Sequence, residues 1–463
     1  MREAEVKGGV ILFRGSGSAA RRYVEADRSR ADEYYLGADD AVADYAVLDN
    51  TGEATDTRSL TADEYEGWVD WRDPVTGEQM GTPRAAAVGT KGSPLFAEMT
   101  INAPKSLSVA AALHPEVSDA IDAAQQDALA EIRRWLGQHS VTRVGPRDAR
   151  EIIPIERMQV VGIRHKASRA GDPHRHIHMQ IGTRVWAAGK WRALDTAALF
   201  KQQGAIRALG TAIIAAHPHL AQTLEEHGLT LDPASGEVAE LEPFNGVMSK
   251  RSAQIRRNLD RLEAEWEALH PGEVLGPVMT ARLQRIAWTH QRPGKKPAYL
   301  KNEQWWVQEL RDAGYNPALQ QRRPAQRAVS VDDLAVQEVA SRALDRSAAD
   351  SSAWTRHTIQ EHVTRITTEA GVQATSAELR EFITLATELA VSDCLSVLPP
   401  GAPTPEHVAH LTSLSVVAAE TALRDQLAAA TPDREPDHPD VTEAARTAGL
   451  DEGQTLAAAA VAS

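Results

Sequence analysis

The sequence predicts an α+β fold, an antiparallel sheet with helices packed on it, followed by a mostly helical C-terminal region. Two strand-like runs, Arg157 to His165 and His174 to Trp186, flank a chain-reversing segment at Ala170, Gly171, Asp172 and Pro173. Helical runs at 116–138 and from Asp195 to about His217 stand before and after this hairpin. Strands separated by helices of that length place the helices on one face of the sheet. Charged and apolar helical periodicity then continues from 249 to 395.

In chain order, Glu5 to Phe13 reads as a short strand, broken by Gly15 and Gly17. Ser18 to Tyr35 reads as a helix with Ala19, Ala20, Tyr23, Ala26 and Ala31 available for packing. Asp44 to Asp73 is rich in acidic residues and turn formers, which predicts surface structure. Leu95 to Ile101 alternates as a strand, and Pro104-Lys105-Ser106 begins the element that leads into the 116–138 helix. Gln180 to Trp186 extends the second hairpin strand, and Ala188-Gly189-Lys190 makes a turn. The next helix is capped by Asp195 or Thr196. Residues 249–268 form a charged helix with Ile255, Leu259, Leu262 and Trp266 on one stripe. A helical unit follows over 275–330, and a small bundle over 331–395. Proline-rich stretches at Pro399 and Thr431 mark flexible joints.

A chain of 463 residues with 42% hydrophobic positions buries a substantial core in more than one unit. Its one cysteine, Cys394, excludes an internal disulfide framework and a cysteine-based zinc knuckle. No stretch approaches a membrane span, and the acidic opening is unlike a secretory signal, which predicts a cytoplasmic protein without membrane insertion. The net charge of -14 is uneven: residues 161–210 hold 9 Lys/Arg against 2 Asp/Glu, and residues 331–463 hold 8 against 21. Basic stretches in an acidic chain fit local phosphate contacts beside a solvated tail.

His176 and His178 share one strand face, and a hairpin brings His165 beside them. Neutral imidazoles are good ligands for divalent metals, whereas three protonated ones repel each other, so the trio predicts a metal site. His174 lies on the same face as an alternative ligand, and Glu98 and Asp172 are carboxylates that could orient a histidine. Such a site either activates water for hydrolysis or polarises a phosphate while a protein hydroxyl attacks. Tyr23, Tyr34 and Tyr35 are the candidate hydroxyls.

Tyr23 followed by Tyr34-Tyr35, then the run from Glu98 through Pro104-Lys105-Ser106, then Arg164 to His178 stand in one order. Together with Gly189 to Asp195 and Met248 to Ile255, they resemble the relaxase domain of conjugative relaxase-helicases of the TrwC/TraI class, MobF-type three-histidine HUH endonucleases. The resemblance covers roughly residues 10–300. It implies site- and strand-specific nicking and rejoining of single-stranded or locally melted DNA at an origin of transfer, through a 5′-phosphotyrosine intermediate. Carried onto this chain, His165, His176 and His178 hold a divalent metal, Mg2+ or Mn2+ with Zn2+ as the alternative. Tyr23 is the first nucleophile, Tyr34 or Tyr35 serves a later transfer step, and Glu98 is the site carboxylate. Here Val24 follows Tyr23 where the family pattern often shows a tyrosine pair, and Glu98 stands where aspartate is usual.

The implied DNA groove carries Lys105, Arg164, Lys166, Arg169, Arg175, Arg184, Lys190 and Arg192, with Trp186 and Trp191 as candidate stacking surfaces. Residues 1–300 form the expected relaxase domain, 301–398 a helical linker or remnant module and 399–463 an acidic, Pro- and Ala-rich tail, with accessory transfer proteins as further partners. No Gly-x-x-x-x-Gly-Lys-Ser/Thr run occurs, so helicase activity is not expected and the chain is either a helicase-free relaxase or a fragment. The competing readings are a phosphodiesterase using activated water and a degenerate relaxase that only binds DNA.

Overall fold

The computed structural model describes residues 9–27, 41–146, 149–168, 170–290, 303–319, 328–402, 404–430 and a few positions beyond 442. Residues 1–411 make one compact unit and 412–463 a second, whose helix α13 (Leu414–Ala430) is mostly exposed. No helix among the described residues is long and apolar enough to cross a membrane. The helices of the first unit are α1 (Gly17–Asp27), α2 (Ala62–Val69), α3 (Lys105–Leu113), α4 (Pro115–His139), α5 (Thr196–Ala216), α6 (Pro218–Glu226), α7 (Lys250–Leu269), α8 (Pro277–Thr289), α9 (Glu303–Asp312), α10 (Val336–Asp350), α11 (Arg356–Glu369) and α12 (Ser376–Ser392).

An eight-stranded antiparallel sheet is the centre of the first unit. Its strands are β1 (Ile11–Phe13), β2 (Ala41–Asp49), β3 (Ala54–Thr61), β4 (Phe96–Asn102), β7 (Arg157–Ala167), β8 (Pro173–Gly182), β9 (Arg184–Ala187) and β10 (Lys190–Ala193), while β5 (Val141–Val144) and β6 (Glu151–Pro154) form a separate pair. The order β1-β4-β8-β7-β2-β3 puts the predicted hairpin, β7 and β8, in the middle, with β9 and β10 branching from β7. Central strands bury both faces, and Met158, Val160, Val161, Ile163, Ile177, Met179 and Ile181 of these two strands are all buried, with the polar Gln159 and Gln180 buried beside them.

The expectation of helices on one face is corrected, because helices cover both. Behind the sheet, α4 packs so closely on β7 that a Cβ added at Gly162 would lie 3.1 Å from Leu129. In front, Ala20 and Val24 of α1 and Tyr65, Trp68 and Val69 of α2 bury against Tyr45, Val47, Phe96, Val161 and Ile163. The expectation of surface structure over Asp44 to Asp73 is therefore also corrected: this segment is β2, β3 and α2. Asp63 is exposed and Asp56 and Glu64 are half-buried, and these acidic residues mask an apolar pattern of Tyr45, Leu60, Tyr65 and Trp68 that lies in the core. A capping box, with Thr61 accepting from the Glu64 amide and Glu64 reaching back to Thr61, starts α2.

The second hairpin strand does not run through to Trp186. It breaks at Thr183, whose hydroxyl donates to the carbonyls of Pro94 and Leu95, and β9 departs from there. The turn at Ala188 and Gly189 has φ of 48° and 74°, the left-handed pair that suits a two-residue hairpin between β9 and β10. Asp195 caps α5 by accepting from the amides of Ala197 and Ala198. The helices α10 to α12 form the expected bundle, and α11 lies along α5.

Candidate metal and strand-transfer site

Cross-strand register sets the three histidines. His165 pairs with His176 across β7 and β8, and His178 follows two positions along the same face. The ring centroids form a near-equilateral triangle, 5.3 Å from His165 to His176 and 5.0 Å from His178 to each of the others. Imidazoles that bind one ion at about 2.1 Å leave their ring centroids roughly 4.5–5.3 Å apart, so the triangle has the size of a three-histidine metal site. His176 Nδ1 donates to the His174 carbonyl at 2.9 Å, which puts its lone pair on Nε2. His178 Nδ1 lies 3.0 Å from Glu98 Oε1, the same arrangement with a carboxylate as partner.

Glu98 and Gln180 are register partners on β4 and β8, two residues along from the histidines. The Gln180 amide donates to Glu98 at 3.0 Å, and the Tyr65 hydroxyl donates to the Gln180 carbonyl oxygen at 2.8 Å. A chain thus runs from the buried α2 phenol through Gln180 and Glu98 to His178. Burial pushes the Glu98 carboxyl up, but the His178 imidazole and the Gln180 amide more than offset it and hold the group below its ordinary range. Gln180 was legible by period two from His178. Tyr65 was hidden in the segment read as surface.

Among the described residues, Tyr23 stands beside the histidines. Its ring stands edge-on to His178 at 6.3 Å, and the residue is 37% exposed. The position comes from α1, which is pinned to α2 by Arg21 bonding Asp63 and Glu66 and by the Gly17 amide donating to Asp70 at 2.8 Å. Tyr34, Tyr35 and Arg169 lie outside the described residues.

The remaining predicted residues fall in three places. His174 is stacked on His176 at 4.6 Å, and burial, with the neighbouring His176 and Lys105, pushes its imidazole well below the ordinary value. Beneath it, the Lys105 ammonium donates to the Pro173 carbonyl at 2.6 Å, and burial lowers its pKa to about 8. Asp172 braces the turn rather than a histidine: it accepts from Ser168 at 3.2 Å and from the Arg251 amide at 3.3 Å, with Lys250 3.8 Å away. This ties the Met248 to Ile255 segment to the hairpin.

Arg164 and Arg175 are corrected as groove residues, because alternation turns them to the opposite sheet face. Arg175 is 3% exposed and bonds both Asp122 oxygens, at 3.1 and 3.0 Å, as well as Ser118. Arg164 contacts Asp122 and Gln126 of α4. Lys166 flanks His165 and is half-buried.

Arg184, Lys190 and Arg192 lie six or more residues beyond His178, on the order of 20 Å at strand rise. Arg184 donates to the carbonyls of Met80 and Trp191, Arg192 donates to that of Ala187, and Lys190 is exposed. Trp186 and Trp191 meet edge to face at 5.6 Å, with the Arg157 guanidinium 5.4 and 5.2 Å from their rings, a packed cluster of their own.

A family model described as TrwC relaxase matches residues 17–313. No curated protein sequence gives a match. Among solved structures, the conjugative relaxase TrwC in complex with OriT DNA, metal-free, is 21% identical, covers 66% of this chain and 99% of its own, and superposes with a TM-score of 0.46. Its metal-bound structure with OriT DNA is 20% identical over 67% and 99%, with the same TM-score of 0.46. TrwC complexed with a 27-mer DNA comprising the recognition hairpin and the cleavage site is 20% identical over 62% and 97%, with a TM-score of 0.44.

Proposed function

The chain belongs to the TrwC relaxase family, metal-dependent enzymes that nick DNA at an origin of transfer in conjugation, and we propose that its nick is a transesterification by Tyr23. The observation that carries this reading is the Tyr23 ring 6.3 Å from His178, on a helix fixed against α2. The substrate is single-stranded or locally melted DNA. Residues 1–300 form the catalytic unit in this reading, 301–398 a helical module and 399–463 a tail that could serve accessory transfer proteins.

His165, His176 and His178 would hold the ion, Mg2+ or Mn2+ with Zn2+ as the alternative. When bound, it supplies electrophilic stabilisation of charge on a non-bridging phosphate oxygen. Glu98 fixes the His178 tautomer and strengthens it as a donor, and Gln180 and Tyr65 hold Glu98 in place. The Tyr23 phenol gives up its proton to solvent and its oxygen bonds to phosphorus as the bond to the 3′ oxygen breaks, and the departing 3′ oxygen takes up a proton in turn. A 5′-phosphotyrosine and a free 3′-hydroxyl result. The ester conserves the bond energy, so a later hydroxyl can rejoin the strand without ATP.

The test is incubation of the full chain with an origin-derived single strand and Mg2+ or Mn2+. A covalent protein–DNA adduct that disappears in Tyr23→Phe is expected. Soluble fragments bearing a free 5′-phosphate, with no adduct, would assign the attack to water. An adduct that survives Tyr23→Phe would move it to another tyrosine.

A further inference from the structure

A second histidine cluster lies away from this site, at the far end of α4. His139 is the last residue of α4, His357 sits in the first turn of α11, and Glu406 follows α12 in the chain. One ligand atom from each falls within 4.8 Å of the other two. His139 Nδ1 is 2.7 Å from Glu406 Oε2, and His357 Nε2 is 4.0 Å from the same oxygen. His357 is 1% exposed, and neither of its ring nitrogens has a hydrogen-bond partner. Buried nitrogens are nearly always paired, so an imidazole aimed at a histidine and a carboxylate without a bond of its own points to a ligand.

The surroundings hold the donors in place. The Trp135 ring lies 4.1 Å from the His139 ring and 5.3 Å from that of His357. Trp135 donates to Gln202 at 3.0 Å, and Gln202 donates to the His139 carbonyl at 2.9 Å. The segment bearing Glu406 is anchored where the amides of His410 and Leu411 donate to the Trp354 carbonyl, both at 3.1 Å. The Glu406 side chain is 46% exposed, so it is the donor of the three with room to adjust toward an ion between the imidazoles. Two imidazoles and a carboxylate suit a borderline transition ion better than Mg2+, which prefers oxygen and water.

We propose that His139, His357 and Glu406 form a second divalent-cation site, of the zinc class, that fastens the helical segment 336–411 to α4 behind the relaxase sheet. Equilibrium dialysis of the full chain against Zn2+ tests it, in a His176→Ala/His178→Ala background that silences the first site. One Zn2+ per chain is expected to remain there, and adding Glu406→Gln should weaken it at least tenfold. His357→Gln should do the same, and Glu406, at the surface, gives a variant whose folding is not at stake. Absence of bound Zn2+ in the silenced background, or an affinity unmoved by Glu406→Gln, overturns the proposal and leaves a histidine–glutamate ion pair. Adduct formation by Tyr23 in the Glu406→Gln single variant should be unchanged, so the two readings fail separately.

Discussion

Arg175 stands between two site histidines in sequence yet serves the opposite side of the sheet, where it neutralises Asp122. Removing one partner of a buried pair strands the other charge, at a cost of about 3–5 kcal/mol. Arg175→Ala should therefore lower the melting temperature sharply, and the salt dependence of DNA binding should stay as it was. A phosphate contact would instead reduce the log–log slope by about 0.7 for single strands, and salt titration separates the two. Lys105 makes a pH-dependent case. Its folded pKa of about 8 lies below the free value near 10.4, so charging it opposes folding. That penalty, about 3 kcal/mol, is fully present below pH 8 and fades as pH rises toward 10.4. Lys105→Met should be more stable than the parent at pH 7, with the difference shrinking through that window. A difference in unfolding free energy that stays flat from pH 7 to 10 would contradict it.

At the scale of elements, the catalytic geometry depends on α1 lying close to α2. A Cβ on Gly17 would fall 2.5 Å from both the Asp70 carboxylate and the Glu66 carbonyl, so Gly17→Ala should push the helix outward and carry Tyr23 with it. An ångström of misplacement can cost about 100-fold in rate, so adduct formation should slow by about 10- to 100-fold while metal binding at the histidines stays intact. Equal nicking rates in the variant and the parent would show that α1 is not the positioning element. The histidine hairpin was legible in the sequence because strand period and turn chemistry are local: His176, His178 and the reversal at Gly171 sit within a dozen residues. The front layer was not. Tyr65 reaches Gln180 across 115 positions of sequence, and the acidic residues Asp63, Glu64 and Glu66 around it in α2 concealed the residue that makes that contact. The basic residues misled for a related reason, since composition counts Arg164 and Arg175 but does not say which face of β7 or β8 they occupy.

Over the whole molecule the charge is segregated, and a nuclease for a polyanion carries a strongly acidic C-terminal stretch. Residues 431–463 contain 7 acidic and 2 basic side chains, all far along the sequence from the histidine hairpin. Long-range repulsion of that kind acts on the encounter rate, and it fades as the Debye length falls from about 10 Å at 0.1 M salt to about 3 Å at 1 M. Removing residues 431–463 should speed association with a single strand severalfold at low salt, with little difference at 0.5 M and no change in the cleavage rate of the bound strand. Stopped-flow association at several ionic strengths reads this directly. A salt-independent effect would mean that the segment touches the DNA or the site itself instead of acting through its charge.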